Sequence, residues 1–280
     1  MEYYCKRIID THVHIGGEKV GFIMKEEDVE YLIDKYKIAY AIVSNCDCVE
    51  VDCNQNLIPQ NLQINQVDGF KRTLKLARKH PDKIGVAPFI KPLTETLTKD
   101  YERIIRDNKD IIKAFKIHAY HSNTSPADPK CFPYWELAEE LGVPVVSHTG
   151  GCEAADPIHM YEAAKLFPRV DFVMVHMGLG SDNKEALDLL GKADNLYGDT
   201  TWVPCSTAIE ACKRYGSHKM VFGSDAPIDG KDTYLHNKSG DRSMYQEYFW
   251  DLPKVMEHEA YEDLMWRNAI NIFHLENMFK

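Results

Sequence analysis

The stretch Arg7-Ile8-Ile9-Asp10-Thr11-His12-Val13-His14 decides how the rest of the chain is read. It begins as a β-branched run of strand character and ends on two imidazoles. Side chains alternate along a strand, so His12 and His14 share one face and Val13 takes the other. Seven further runs of strand character follow at 39–43, 84–90, 111–118, 143–148, 170–176, 195–198 and 219–225, with amphipathic stretches between them. In the stretch before the third run, Val67, Phe70, Leu74 and Ala77 fall on one helical face, and His80-Pro81 ends the pattern. Pro133 and Gly142 bracket another helix, and Val143 opens the next strand at once. Asp156-Pro157 reads as the N-cap and first residue of a helix that stops before Pro168, and a last helix is expected over 261–275. Strands alternating with helices pair in parallel through crossovers, and eight such units close most naturally into a (β/α)8 TIM barrel, one α/β domain over residues 1–280. An open doubly wound sheet would usually carry a glycine-rich phosphate loop after its first strand. Here Gly16-Gly17 follows a His-x-His and no G-x-G-x-x-G forms.

Composition narrows the class. With 44% hydrophobic and 27% charged residues in 280, the chain is an ordinary globular protein. A net charge of −10 without any basic block argues against a nucleic-acid partner. No apolar run approaches the roughly 18 residues of a membrane span. The opening MEYYCKRIIDTH lacks the apolar core of a signal peptide, and eight cysteines are too sparse for a disulfide scaffold, so a cytoplasmic protein is expected. Cys46, Cys48 and Cys53 form a C-x-C-x4-C cluster that matches no usual zinc pair and reads as free thiols in a loop.

A barrel of this kind keeps its functional residues at the carboxyl ends of its strands. Here those ends read Asp10-Thr11-His12-Val13-His14, Lys116-Ile117-His118, Val146-Ser147-His148, Val175-His176 and Gly223-Ser224-Asp225. A single strand-end histidine is commonly a hydrogen-bonded core residue, and a single aspartate a helix cap. Stability gives no reason for five such ends to gather on one rim, whereas a nitrogen and oxygen ligand set for zinc or another first-row divalent ion does. The loop 119–130, with Tyr120, His121, Asn123 and Ser125, and the loop 226–241, with Tyr234, His236 and Lys238, are long enough to serve as lids or specificity elements. Trp202, just past the seventh strand, either packs on a substrate ring or fills the core under its loop.

The motifs DTHVH (10–14), PVVSHTG (144–150), VMVHMG (173–178), FGSDAP (222–227) and WRNAINIF (266–273) resemble, in that order, the amidohydrolase superfamily, in its amidohydrolase-related branch of metal-dependent TIM barrels. The resemblance implies that His12, His14, His148 and Asp225 bind the metal, and that His176 binds a second metal or holds the attacking water. It leaves the fourth strand open, because some members carry a carboxylated lysine there that bridges two metals and decarboxylase-like members use one ion. An uncharged Lys116 can take up carbon dioxide and become such a ligand. A protonated one, together with His118, suits a substrate carboxylate instead. The function implied is a metal-dependent hydrolase of a small amide, ester or lactone, with zinc as the expected ion, one or two per chain. Asp225 would take a proton from the metal-activated water and return it to the leaving group, with His176 orienting the water or stabilising the tetrahedral oxygen. Two alternatives stand beside it: a non-oxidative decarboxylase or hydratase of a small unsaturated or aromatic acid, and a metal-binding barrel without turnover. The expected partner is a small molecule, carboxylic acids included, bound near His118, Tyr120 and Trp202; a homo-oligomer is compatible with the sequence.

Overall fold

The β-branched runs form eight strands in a computed structural model that describes residues 2–279: β1 Ile9–Ile15, β2 Tyr40–Asn45, β3 Ile84–Val86, β4 Phe115–His118, β5 Val145–Gly150, β6 Phe172–Leu179, β7 Leu196–Asp199 and β8 Met220–Val221. Parallel ladders join β1 to β2 to β3, and β4 through β8 in order. Pro88 has no N–H to give a ladder, so the regular pairing of β3 stops at Val86. Its carbonyl still accepts from Lys116 N at 2.8 Å, and Ile90 N donates to Lys116 O at 2.8 Å, which carries the sheet across to β4. The other seam joins the ends of the chain. Thr11 N donates to Phe222 O at 3.0 Å, Asp225 N to His12 O at 2.8 Å and His14 N to Ala226 O at 2.8 Å. The eight strands therefore close into the expected TIM barrel.

Crossover helices cover the outside, α1 Glu26–Lys35, α2 Gln66–Lys79, α3 Lys99–Asp107, α5 Phe132–Leu141, α6 Ile158–Leu166, α7 Lys184–Leu190 and α8 Cys205–Tyr215, while a short α4 Ala119–Ser122 follows directly on the carboxyl end of β4. Gly142 ends α5 in the left-handed conformation, φ 66°, as its place in the sequence predicts. Asp156 has the extended backbone of a capping residue, but no side chain caps α6, which starts after Pro157. The closing helix begins earlier than expected, as α9 His258–Glu262, and continues through a π-helical turn, Asp263–Arg267, into α10 Asn268–Ile272. Among the described residues no helix is long and apolar enough to cross a membrane.

The strands face two apolar layers. Inside, Ile9, Tyr40, Ile42, Val146, Val173 and Val221 pack with Ala269 and Phe273 of the closing segment. Outside, Val13, Val43, Phe115, Val145 and Phe172 pack against helix residues such as Leu32, Phe70 and Trp135. Ile9 and Val13 would share a face under strict alternation, yet they lie in different layers. The register shift between Asp10 and Val13 inverts the parity of β1 and turns His12 and His14 inward. A second shift, between His148 and Gly150, brings β5 against Leu179.

Gly150 has φ +101°, and a Cβ there would stand 2.2 Å from Leu179 N and 2.5 Å from its O. Gly150→Ala should therefore destabilise the barrel by about 2 to 3 kcal/mol, through backbone strain at a position with no free space. The expected readout is a lower denaturant midpoint at unchanged slope. A midpoint equal to the parent's would show that the β5–β6 bulge yields without cost.

Candidate metal centre

The strand ends line a cavity of about 420 Å³. On its floor the Nε2 atoms of His12 and His14 lie 2.7 Å apart, and Asp225 Oδ1 is 3.6 Å from the first and 3.1 Å from the second. The far side of each group is held. Nδ1 of His12 is 3.1 Å from Thr201 Oγ1, and that hydroxyl donates its hydrogen to Asp199 Oδ2 at 2.5 Å. Thr201 therefore accepts from Nδ1, and Nε2 of His12 presents a lone pair to the floor. Nδ1 of His14 is 2.8 Å from Ser44 Oγ, and Asp225 Oδ2 accepts from Trp202 Nε1 at 2.9 Å.

Among the described residues, His12, His14 and Asp225 are the histidine and carboxylate group whose ligand atoms converge. A lone pair 2.7 Å from a second imidazole nitrogen needs a cation or a proton between them. Two imidazole nitrogens and a carboxylate oxygen, each oriented from behind by a hydrogen bond, fit a first-row divalent ion. Burial also pushes the imidazoles of His12, His14, His118, His148 and His176 toward the neutral form a metal requires, His176 to about 4. Burial works the other way on Asp225, but the hydrogen bond from His14 and the surrounding imidazoles outweigh it and hold the carboxyl well below its usual range.

The remaining expected residues line or adjoin the same cavity, outside that three-atom convergence. His176 donates its backbone N–H to Asp199 Oδ1 at 2.9 Å, and its Nδ1 lies 3.2 Å from Thr201 O. A carbonyl only accepts, so Nδ1 carries the proton and Nε2 is an acceptor. His148 stands beside His176, ring centroids 4.5 Å apart, and stacks on His118 at 4.1 Å. Its Nε2 is 3.2 Å from Gly150 O, and its buried Nδ1 has no partner among the described residues. Lys116 is 1% exposed, with Nζ 3.1 Å from His12 Nε2, and burial lowers its pKa. Tyr120 lays its ring over Gly151, where a Cβ would come within 2.9 Å, and its hydroxyl donates to Cys53 O at 2.9 Å. Trp202, His176 and Asp225 all have positive φ, 57°, 70° and 65°, a conformation that costs roughly 1–3 kcal/mol each and collects at functional sites.

Three residues of this arrangement escaped the sequence reading: Ser44, Asp199 and Thr201. The signal was available for one of them, because β7 ends Gly198-Asp199 and the strand-end rule, applied there, picks out the carboxylate. The residues of the loop after β8 divide between interior, surface and cavity. Tyr234 is sealed in the interior, where its hydroxyl donates to Asp10 Oδ2 at 2.6 Å, His236 and Lys238 are exposed, and Ile228 and Asp229 line the cavity. Cys46, Cys48 and Cys53 are free thiols, but Cys46 and Cys48 are buried in a 3-10 turn, and Cys46 lines the cavity.

A family model described as amidohydrolase matches residues 59–275. No curated protein matches the chain in sequence. Among solved structures the fold is similar to 2,6-dihydroxybenzoate decarboxylase from Rhizobium, with a TM-score of 0.67 and 15% identity over 96% of this chain and 99% of that one. It is also similar to a probable 2-pyrone-4,6-dicarboxylic acid hydrolase from Acinetobacter baumannii with citric acid bound, with a TM-score of 0.64 and 13% identity over 96% and 99%. A third is a dihydroxybenzoic acid decarboxylase from Polaromonas with bound manganese and the inhibitor 2-nitroresorcinol, with a TM-score of 0.66 and 14% identity over 98% and 99%. At these identities the likeness shows the TIM-barrel fold.

Gly223 lies behind the floor, where a Cβ would stand 2.6 Å from Asp199 Oδ2, 2.8 Å from Thr201 Oγ1 and 3.0 Å from His12 Cβ. Gly223→Ala should displace the groups that orient His12 and weaken divalent-ion affinity by about 10- to 100-fold in chelator competition. The double variant His12→Ala, His14→Ala should retain no ion. Full metal occupancy of the double variant, with native circular dichroism, would remove these histidines from the ligand set.

Proposed function

Because the chain belongs to the amidohydrolase family, we propose that it is a metal-dependent hydrolase of a small amide, ester or lactone. One observation carries the reading: two imidazole nitrogens and a carboxylate oxygen, none more than 3.6 Å from another, meet at the floor of a largely apolar cavity. We assign His12, His14 and Asp225 to the ion, with His148 beside them and zinc as the expected metal. When bound, such an ion supplies Lewis-acid chemistry, lowering the pKa of a water and polarising a carbonyl oxygen.

The chain's own groups divide the proton work. Trp202 occupies one side of Asp225 Oδ2, so the carboxylate is held in one orientation with Oδ1 toward His14 and His12. Asp225 takes the proton of the attacking water and returns it to the leaving group. His176, neutral and with Nε2 as an acceptor, orients that water or serves a second ion; it has no proton there to give to an oxyanion. Lys116, pushed toward its uncharged form by burial, is either carboxylated as a further ligand or meets the substrate with His118. Tyr120 and Trp202 supply aromatic wall.

The second reading, decarboxylation of a small acid, draws support from the solved relatives of the same fold whose names specify benzoate decarboxylases. Product mass separates the two: the metal-loaded protein offered small esters, lactones and amides should yield products whose summed mass equals the substrate plus one water, whereas loss of carbon dioxide from an acid would establish the lyase. Asp225→Asn keeps the shape and a ligand oxygen but removes the base. Turnover should fall by about 100- to 10,000-fold while part of the metal stays bound. Undiminished turnover would take Asp225 out of the proton transfers.

A further inference from the structure

Above the floor the cavity wall is apolar, built by Val20, Phe22, Met24 and Ile228 from the loops after β1 and β8 and by Leu179 at the end of β6. Among the described residues no lysine or arginine lines it. Lys238 is exposed and lies over the ring of Phe22 at 4.6 Å, while Lys116 is buried against His12. The wall does hold one further charged group, Asp229, half-buried and following Asp225 on the same loop. Among the described residues nothing hydrogen-bonds its carboxylate. Burial raises its pKa, against the pull of Lys238, and the charge of Asp225 adds to the rise.

We propose that this cavity takes a substrate whose far end, away from the reacting carbonyl, is apolar and carries no negative charge, and that Asp229 is the residue that turns anionic compounds away. An anion placed on this wall would lose its water where no lysine or arginine lines the cavity, Lys238 lying in solvent beyond Phe22, and would face a carboxylate as well. An alkyl or aryl group loses nothing there, and a group that donates hydrogen bonds finds a free acceptor in Asp229. The inference rests on the metal-enzyme reading of the floor. It concerns the opposite end of the substrate, and so applies whether the reacting group is an ester or an acid.

The test uses three probes that anchor on a metal through the same hydroxamate and differ only in the far group: 4-ethyl-, 4-(aminomethyl)- and 4-(carboxymethyl)benzohydroxamic acid. Their affinities are measured by calorimetry on the metal-loaded full chain. The carboxymethyl compound should bind at least about tenfold more weakly than the ethyl compound, and the aminomethyl compound more tightly than the carboxymethyl one. In Asp229→Asn the penalty on the carboxymethyl compound should shrink severalfold, while the ethyl compound stays within about threefold of its parent affinity. Equal or tighter binding of the carboxymethyl probe would overturn the proposal, and an undiminished penalty in the variant would overturn the part given to Asp229. If no probe binds the metal-loaded protein, the inference and the metal reading fail together. If the expected order appears but the matching methyl esters are not hydrolysed, the hydrolase reading fails and this one stands.

Discussion

The hydrogen bond from Asp225 N to His12 O, 2.8 Å long, closes the barrel and assembles the site in the same stroke. It joins the first strand to the last, and the two residues it pairs carry the imidazole and the carboxylate that meet on the cavity floor. No local preference brings them together, since they come from opposite ends of the chain. Asp10 secures the same seam from within the protein. Its buried carboxylate accepts from His12 N at 3.1 Å, from Tyr234 Oη at 2.6 Å and from Ser224 Oγ. A buried carboxylate left without such donors would cost several kcal/mol, so each donor is required where it stands. That requirement places Tyr234 inside the protein, although it belongs to a loop long enough to cover the mouth.

Asp199 does for the rear of the floor what Asp10 does for the seam. Fully buried, with its pKa pushed up to about 7 by burial, it accepts from His176 N, Thr201 N and Thr201 Oγ1 and lies 3.5 Å from His12 Nδ1. The bond to His176 N holds a residue at φ 70°, and Trp202, at φ 57°, follows Thr201 directly. Strained backbone persists only where its surroundings over-determine it. Here the determining group is a carboxylate that touches no position a ligand could occupy. Through Thr201 it also sets which nitrogen of His12 faces the cavity, so one hidden group controls both the tautomer of one imidazole and the direction of another.

Much of this was legible in the sequence because the barrel repeats one physical rule: strand ends point to one rim. Reading the ends of β1, β4, β5, β6 and β8 located His12, His14, Lys116, His118, His148, His176 and Asp225, and the same rule carried to β7 would have added Asp199. Other features were hidden for identifiable reasons. Alternation correctly puts His12 and His14 on one face, but it cannot say which face is the inside. The bulge between Asp10 and Val13 decides that, and a bulge leaves no periodic mark. Asp156 has the residue type of a cap and the backbone of one, but its side chain makes no capping bond. Cys46 and Cys48 looked like loop thiols because a 3-10 turn has too short a period to register in a hydrophobic pattern.

The same contrast separates what the chain does from what it does it to. The floor is built by backbone that the ladders hold in register, so its donors follow from strand ends and their chemistry can be argued from residue type. Apart from Leu179 at the end of β6, the wall is built mainly by loops after β1 and β8 that pair with no strand over most of their length, and Val20, Phe22 and Asp229 owe their common cavity to no spacing in the sequence. A change on the floor must answer to the seam, to Asp10 and to Asp199, whereas a change on the wall answers only to its neighbours across the cavity. Fold and metal chemistry are therefore constrained together by closure of the barrel, and the choice of substrate is left to side chains that closure does not touch.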